Sequence, residues 1–140
     1  MKNIYSLFVI IFLLFSCASP LTKKENKDLS QWKQSGFYVE EKKPSLGIGL
    51  GFLPGGGSFY GREYTYGIVN LLLWPASILW DPISGYNATK EINYIATKEN
   101  VNYLKNKEER ELEDMLQLGT IDRDNYIMKR RKINEKYNNN

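Results

Sequence analysis

The chain has 140 residues, with 19 Lys and Arg against 16 Asp and Glu, no His and one Cys. Without imidazole and with a single thiol it lacks the side chains for a His-based acid–base centre, a disulfide framework or a Cys/His metal site. A net charge of +3 gives no mandate for nucleic acid, so no metal, no cofactor, no nucleic-acid partner and no catalysis are expected.

Lys2 opens an almost wholly apolar stretch from Ile4 to Phe15, interrupted by Tyr5 and Ser6. That core suits a signal peptide better than a transmembrane helix, which needs ~20 apolar residues. Leu14-Phe15-Ser16-Cys17 resembles the bacterial lipobox. The resemblance implies that Leu14 is the recognised aliphatic residue, Ser16 the small residue before the cut, and Cys17 the acceptor of acyl chains such as palmitate. Phe15 departs from the family pattern, which usually has a smaller side chain there, and the rival reading is an ordinary secretory signal with Cys17 incidental. Two or more acyl chains hold a protein on a bilayer stably. Ala18, where an Asp would favour retention in the inner membrane of enteric bacteria, leaves both the cell membrane and the outer membrane open.

Residues 17–44 carry many charges and little apolar periodicity, the composition of a polar tether. Trp32, Phe37, Tyr38 and Val39 are its sizeable apolar groups. They are expected to dock on the more C-terminal part of the chain, or to anchor at the bilayer interface, where aromatics are favoured.

Residues 45–86 form an apolar, glycine-rich block. Gly47, Gly51 and Gly55 recur every fourth residue, which on a helix makes a smooth strip for close helix packing. A phosphate-binding loop would need a Lys before Ser58, and the chain after Gly57 offers none. A second apolar run, Tyr66 to Trp80, is interrupted by Pro75, and its fifteen residues reach only ~22 Å as a helix. Phe59, Tyr60, Tyr64 and Tyr66 cluster at one end, with Trp74 and Trp80 toward the other, a pattern expected of interfacial aromatics.

The stretch Pro54, Gly55, Gly57, Phe59, Tyr60 and then Gly67 resembles the two-transmembrane-hairpin domain of small bacterial membrane proteins, and the longer block resembles uncharacterised bacterial lipoproteins. That likeness implies an apolar helical hairpin of two transmembrane helices. Charge placement questions a full span, because the turn holds only Arg62 and Glu63 while Lys42, Lys43 and Lys90 flank the block. Three readings stay open: a full span, a shallow insertion, and the core of a small soluble helical domain.

Residues 87–137 read as a charged helical region. Ile92, Ile95, Val101, Leu104, Leu112, Met115 and Leu116 form a thin apolar stripe, Ser84-Gly85 is expected to be a turn, Gly119 a helix stop, and Asp122 the N-cap of a second helix. Leu112, Met115, Leu116, Gly119, Ile121, Asp122, Tyr126, Lys129, Arg130 and Ile133 resemble the SHOCT (short C-terminal) pattern. This implies a helical hairpin connected with oligomerisation. Acidic residues over 108–114 and basic ones over 129–136 would meet in antiparallel packing. Residues 138–140, all Asn, are expected to be disordered.

The expected protein is therefore mainly α: a signal peptide over 1–16, a lipid-anchored tether over 17–44, a membrane-associated apolar hairpin over 45–86, a long charged helix with a C-terminal helical hairpin over 87–137, and a tail over 138–140. Its expected partners are membrane lipid and further copies of itself, its C-terminal part facing the periplasm or exterior. The expected role is structural or associative; the alternative is a membrane-active, pore-lining protein acting through oligomers of the hairpin.

Overall fold

The computed structural model describes residues 18–137. The stretch 1–16 expected to be a signal peptide, with Leu14 and Ser16, the expected lipid acceptor Cys17 and the tail 138–140 lie outside the described residues. The described chain is mainly α, with no strand among those residues. Its helices are α1 (Lys23–Gln34), α2 (Pro44–Leu50), α3 (Gly56–Tyr60), α4 (Tyr64–Leu72), α5 (Asp81–Gln117) and α6 (Arg123–Tyr137), with a 3₁₀ turn at Ala76–Leu79. Two compact units divide the chain: unit one holds 18–22 and Glu40–Asn93, and unit two holds Lys23–Val39 and 94–137.

The segment read as a two-helix hairpin is divided more finely. Helix α2 ends at Gly51, and Gly55, in the left-handed region at φ 68°, turns the chain into α3. Arg62, also left-handed at φ 63°, ends that helix and leads into α4. Pro75 then stands at the head of the 3₁₀ turn, where a missing N–H costs nothing. With 7, 5 and 9 residues, α2 to α4 are each far shorter than a bilayer crossing. Among the described residues no helix is long and apolar enough to cross a membrane.

The long helix begins earlier than the expected turn at Ser84-Gly85. Pro82 sits in its first turn, where the backbone N–H has no intrahelical partner to lose, and the Ser84 N–H bonds the Trp80 carbonyl at 2.9 Å. Gly85 is retained inside the helix because the backbones of Gly47 and Gly57 come against it.

Unit two contains helix α1 within the stretch read as a polar tether. Leu29 and Trp32, three apart on α1, are both buried, and Trp32 stacks on Tyr94 at 5.7 Å between ring centroids. Phe37 stacks on Tyr137 at 5.1 Å. Beyond α1 the chain is pinned by polar side chains of α5: Asn100 Nδ2 donates to the Phe37 carbonyl (3.2 Å), and Thr97 Oγ1 accepts the Val39 N–H (3.1 Å).

The C-terminal hairpin is built from strong local signals. Gly119 is left-handed at φ 67°, with its N–H on the Leu116 carbonyl and that of Thr120 on Met115, the paired bonds of a Schellman cap. Asp122 Oδ1 accepts the Asn125 N–H at 2.8 Å, capping α6. Leu112 and Ile133 are buried between the two helices. Lys136 Nζ and the Tyr137 hydroxyl both donate to Glu108 Oε1, at 2.5 and 2.7 Å.

Candidate functional site

Unit one is packed by glycine backbones. A Cβ on Gly47 would stand 2.5 Å from the Gly85 carbonyl oxygen, and one on Gly57 would stand 2.6 Å from that of Asp81. A Cβ on Gly51 would strike the Pro82 backbone, and one on Gly61 the Ala88 methyl at 2.5 Å. Gly47 and Gly51 thus share the face of α2 that meets α5. Gly55 does not continue this strip. It heads α3, and a Cβ there would meet the Gly67 carbonyl. The side chain of Phe59 covers Gly67, so Gly55, Phe59 and Gly67 form one contact group. Pro54 lies in the turn before α3, and the Tyr60 hydroxyl accepts the Lys43 N–H at 3.1 Å.

Inside this glycine packing sits a buried carboxylate. Asp81 is 0% exposed and lies in the first turn of α5. Its Oδ2 accepts the Gly57 N–H (3.1 Å). Its Oδ1 accepts the Ser58 N–H (3.1 Å), the Ser58 hydroxyl (2.5 Å) and Asn70 Nδ2 (2.8 Å). Trp80 Nε1 donates in turn to Asn70 Oδ1 at 2.8 Å. The single carboxylate therefore satisfies orphan N–H groups at the start of α3 while standing at the start of α5, where the helix dipole also favours negative charge. It ties three helices together. Ser58 and Asn70 are likewise 0% exposed, which shuts the Ser58–Asp81 pair away from any substrate and makes it a clamp rather than a nucleophile with its base.

The distribution of side chains in unit one is inverted. Its largest fully buried side chains are polar (Ser58, Asn70, Ser77, Asp81, Ser84, Thr89 and Asn93), and the apolar ones buried with them are the small Ala18 and Ala88. Large apolar groups face outward instead, with Leu72 and Leu79 at 77% and 80% exposure and Phe52 and Leu53 both at 56%. Trp74 is half exposed, whereas Trp80 is turned toward Asn70 by its indole N–H. The two tryptophans expected as interfacial aromatics thus have different surroundings.

Sequence reasoning missed Asp81, Asn70, Ser58 and Ser84 as structural groups. Asn70 carried a legible signal, being an amide inside the apolar run Ile68 to Leu73. The others are small polar residues whose partners are distant in the chain.

Among the described residues no group of three or more His, Cys, Asp and Glu side chains is placed to hold a metal ion. In unit two an open groove of about 290 Å³ lies between α5 and α6, its floor made by Leu112, Met115 and Ile133 and its rims by Glu108 and Glu111 opposite Lys129 and Lys132. The chain matches no family model, no curated protein and no solved structure.

Proposed function

We propose that the protein is a bacterial envelope lipoprotein with a structural or associative role, acylated at Cys17 and in contact with the bilayer through unit one. The observation that carries this reading is the inversion of unit one. Apolar side chains exposed to water would forfeit the hydrophobic stabilisation that ordinarily holds a domain together. Surrounded by lipid, the same arrangement is favourable, because there helices associate through small residues and internal hydrogen bonds. Contiguous exposed apolar patches mark surfaces that meet another phase or another molecule. The lipobox-like Leu14-Phe15-Ser16-Cys17 supplies the anchor, and the charged helices of unit two face the periplasm or exterior as a surface for protein partners, further copies included. No catalytic step belongs to this role.

Mass spectrometry of the N-terminal peptide from native membranes tests the anchor. The expected result is a diacylated or triacylated Cys17 and loss of membrane fractionation in the Cys17→Ala chain after an alkaline wash. An unmodified thiol in the membrane fraction would overturn it.

A further inference from the structure

The charges of unit one are sorted along α5, and this fixes which end can enter lipid and how far. Helix α2 runs down α5: Lys42 pairs with Asn93, Gly47 meets Gly85, and Gly51 meets Pro82. Helix α3 climbs back, with Gly57 beside Asp81 and Gly61 beside Ala88. Helix α4 descends again, from Tyr64 next to the rim to Asn70 at Asp81. The two lower turns hold Phe52 and Leu53, and Trp74 and Leu79.

Between Lys43 and Lys90 the only charged residues are Arg62, Glu63 and Asp81. Asp81 is sealed inside, and Arg62 is paired with Glu41 at the upper end. Every exposed charge of unit one therefore lies at the level of Ala88 to Asn93, and the lower end has none. Cation–aromatic pairs mark the boundary: Lys42 Nζ lies 4.5 Å from the Tyr60 ring centroid, and Lys90 Nζ lies 5.5 Å from that of Tyr86. Ammonium groups resting on tyrosine rings suit a headgroup layer. From Asp81 to Lys90 the helix rises about 13 Å, close to half of a ~30 Å hydrocarbon core.

We propose that unit one seats its charge-free end in one leaflet only, to about half the hydrocarbon depth, with Lys42, Arg62 and Lys90 at the headgroups. Backbone N–H groups at that depth are satisfied internally: those of Gly57 and Ser58 in the first turn of α3 by Asp81, and those of Phe52, Leu53 and Gly56 around the lower turn by the carbonyls of Gly49, Leu50 and Leu53. The rim carries four bases (Lys42, Lys43, Arg62, Lys90) and four acids (Glu40, Glu41, Glu63, Glu91), so its occupant is a zwitterionic surface as readily as an anionic one.

The start of the described chain is fastened to this immersed portion. The Ala18 N–H donates to Ser84 Oγ at 3.0 Å, its carbonyl accepts from Asn87 Nδ2 at 3.1 Å, and its side chain is buried. Both partners lie on α5 below Lys90. Resting on the lipoprotein reading, this grip makes Ala18 part of the wedge rather than of a free tether.

The test uses the Cys17→Ala chain, which has no other cysteine, with a single environment-sensitive label introduced at Leu79→Cys, Leu53→Cys or Glu63→Cys, and phosphatidylcholine vesicles. On adding vesicles, labels at 79 and 53 are expected to shift to the blue and to be quenched by lipids brominated along their acyl chains. The label at 63 is expected to keep its aqueous emission and to be quenched by iodide outside the vesicles. Iodide trapped inside should reach none of them. Native tryptophan emission in the unlabelled Cys17→Ala chain, quenched by the same brominated lipids, controls for the labels. A chain that stays off the vesicles, a label at 79 left in water, or one reached from the lumen would each overturn single-leaflet seating. These readings do not depend on acylation, so the failure of the wedge and the failure of the anchor are told apart.

Discussion

Gly47 and Gly85 face each other with nothing between their backbones: a Cβ on either would lie 2.5 Å from the other's carbonyl oxygen. Real side chains do not tolerate that distance, so Gly47→Ala and Gly85→Ala should each force α2 and α5 apart and destabilise unit one by ~1–3 kcal/mol. Gly49, on the same short helix, has no atom within 4 Å of its would-be Cβ. Gly49→Ala should be neutral or stabilising by up to ~1 kcal/mol. Thermal unfolding followed by circular dichroism separates the three, and equal effects at 47 and 49 would contradict backbone packing.

Asp81 is an acceptor for four donors, so Asp81→Asn points an amide N–H at one or more of them. The expected loss is ~1–3 kcal/mol for each buried group left unsatisfied. Asn70→Ala removes two donors and strands the Trp80 indole N–H, with a similar loss and a change in tryptophan emission. Unchanged melting in Asp81→Asn would show that the carboxylate is not the clamp.

The hairpin of unit two should respond to pH at both ends of the scale. The bond from Lys136, and then that from Tyr137, holds the Glu108 carboxyl below its ordinary value. The bond to Glu108 raises Lys136, and burial followed by Glu108 raises Tyr137. A lowered carboxyl stabilises the fold above its unfolded value of ~4.3 and loses that contribution as pH falls through the folded value. A raised ammonium or phenol stabilises it below ~10 and loses that as pH climbs through the folded value. Hairpin stability should therefore be level between about pH 5 and 10 and fall on either side, by no more than ~1 kcal/mol for so exposed a pair. Glu108→Gln should flatten the acid limb in a melting series across pH.

Gly119→Ala meets no atom, yet must hold φ near 67°. Its cost is conformational alone, ~1–2 kcal/mol. Asp122→Ala loses the cap on Asn125, at ~1 kcal/mol. Amide exchange should show faster opening confined to 118–126, and protection left intact there would refute both assignments.

Gly119 and Asp122 were legible in the sequence because caps are decided within a few residues. The repeat of Gly47 and Gly51 is visible in the sequence, but their partners are not, since Pro82 and Gly85 stand more than thirty residues away with nothing local to mark them. Helix α1 was hidden by its composition: only Leu29 and Trp32 mark a face, too few for a periodic signal, and both are fixed by tertiary packing. The two-helix form of the apolar block followed from its hydropathy, which counts residues but does not register that Gly55 and Arg62 turn the chain at positive φ. The inversion of unit one was illegible for a similar reason, because burial belongs to the assembled fold.

That inversion has a calorimetric consequence. The heat-capacity increment of unfolding comes chiefly from oily surface newly wetted, about 0.45 cal/K/mol for each Å². Unit one already displays its leucines and phenylalanines when folded, and its interior releases mostly peptide, hydroxyl and amide groups, whose wetting lowers the heat capacity. Its stability curve against temperature should accordingly be shallow, nearly a straight line, with little tendency to come apart in the cold.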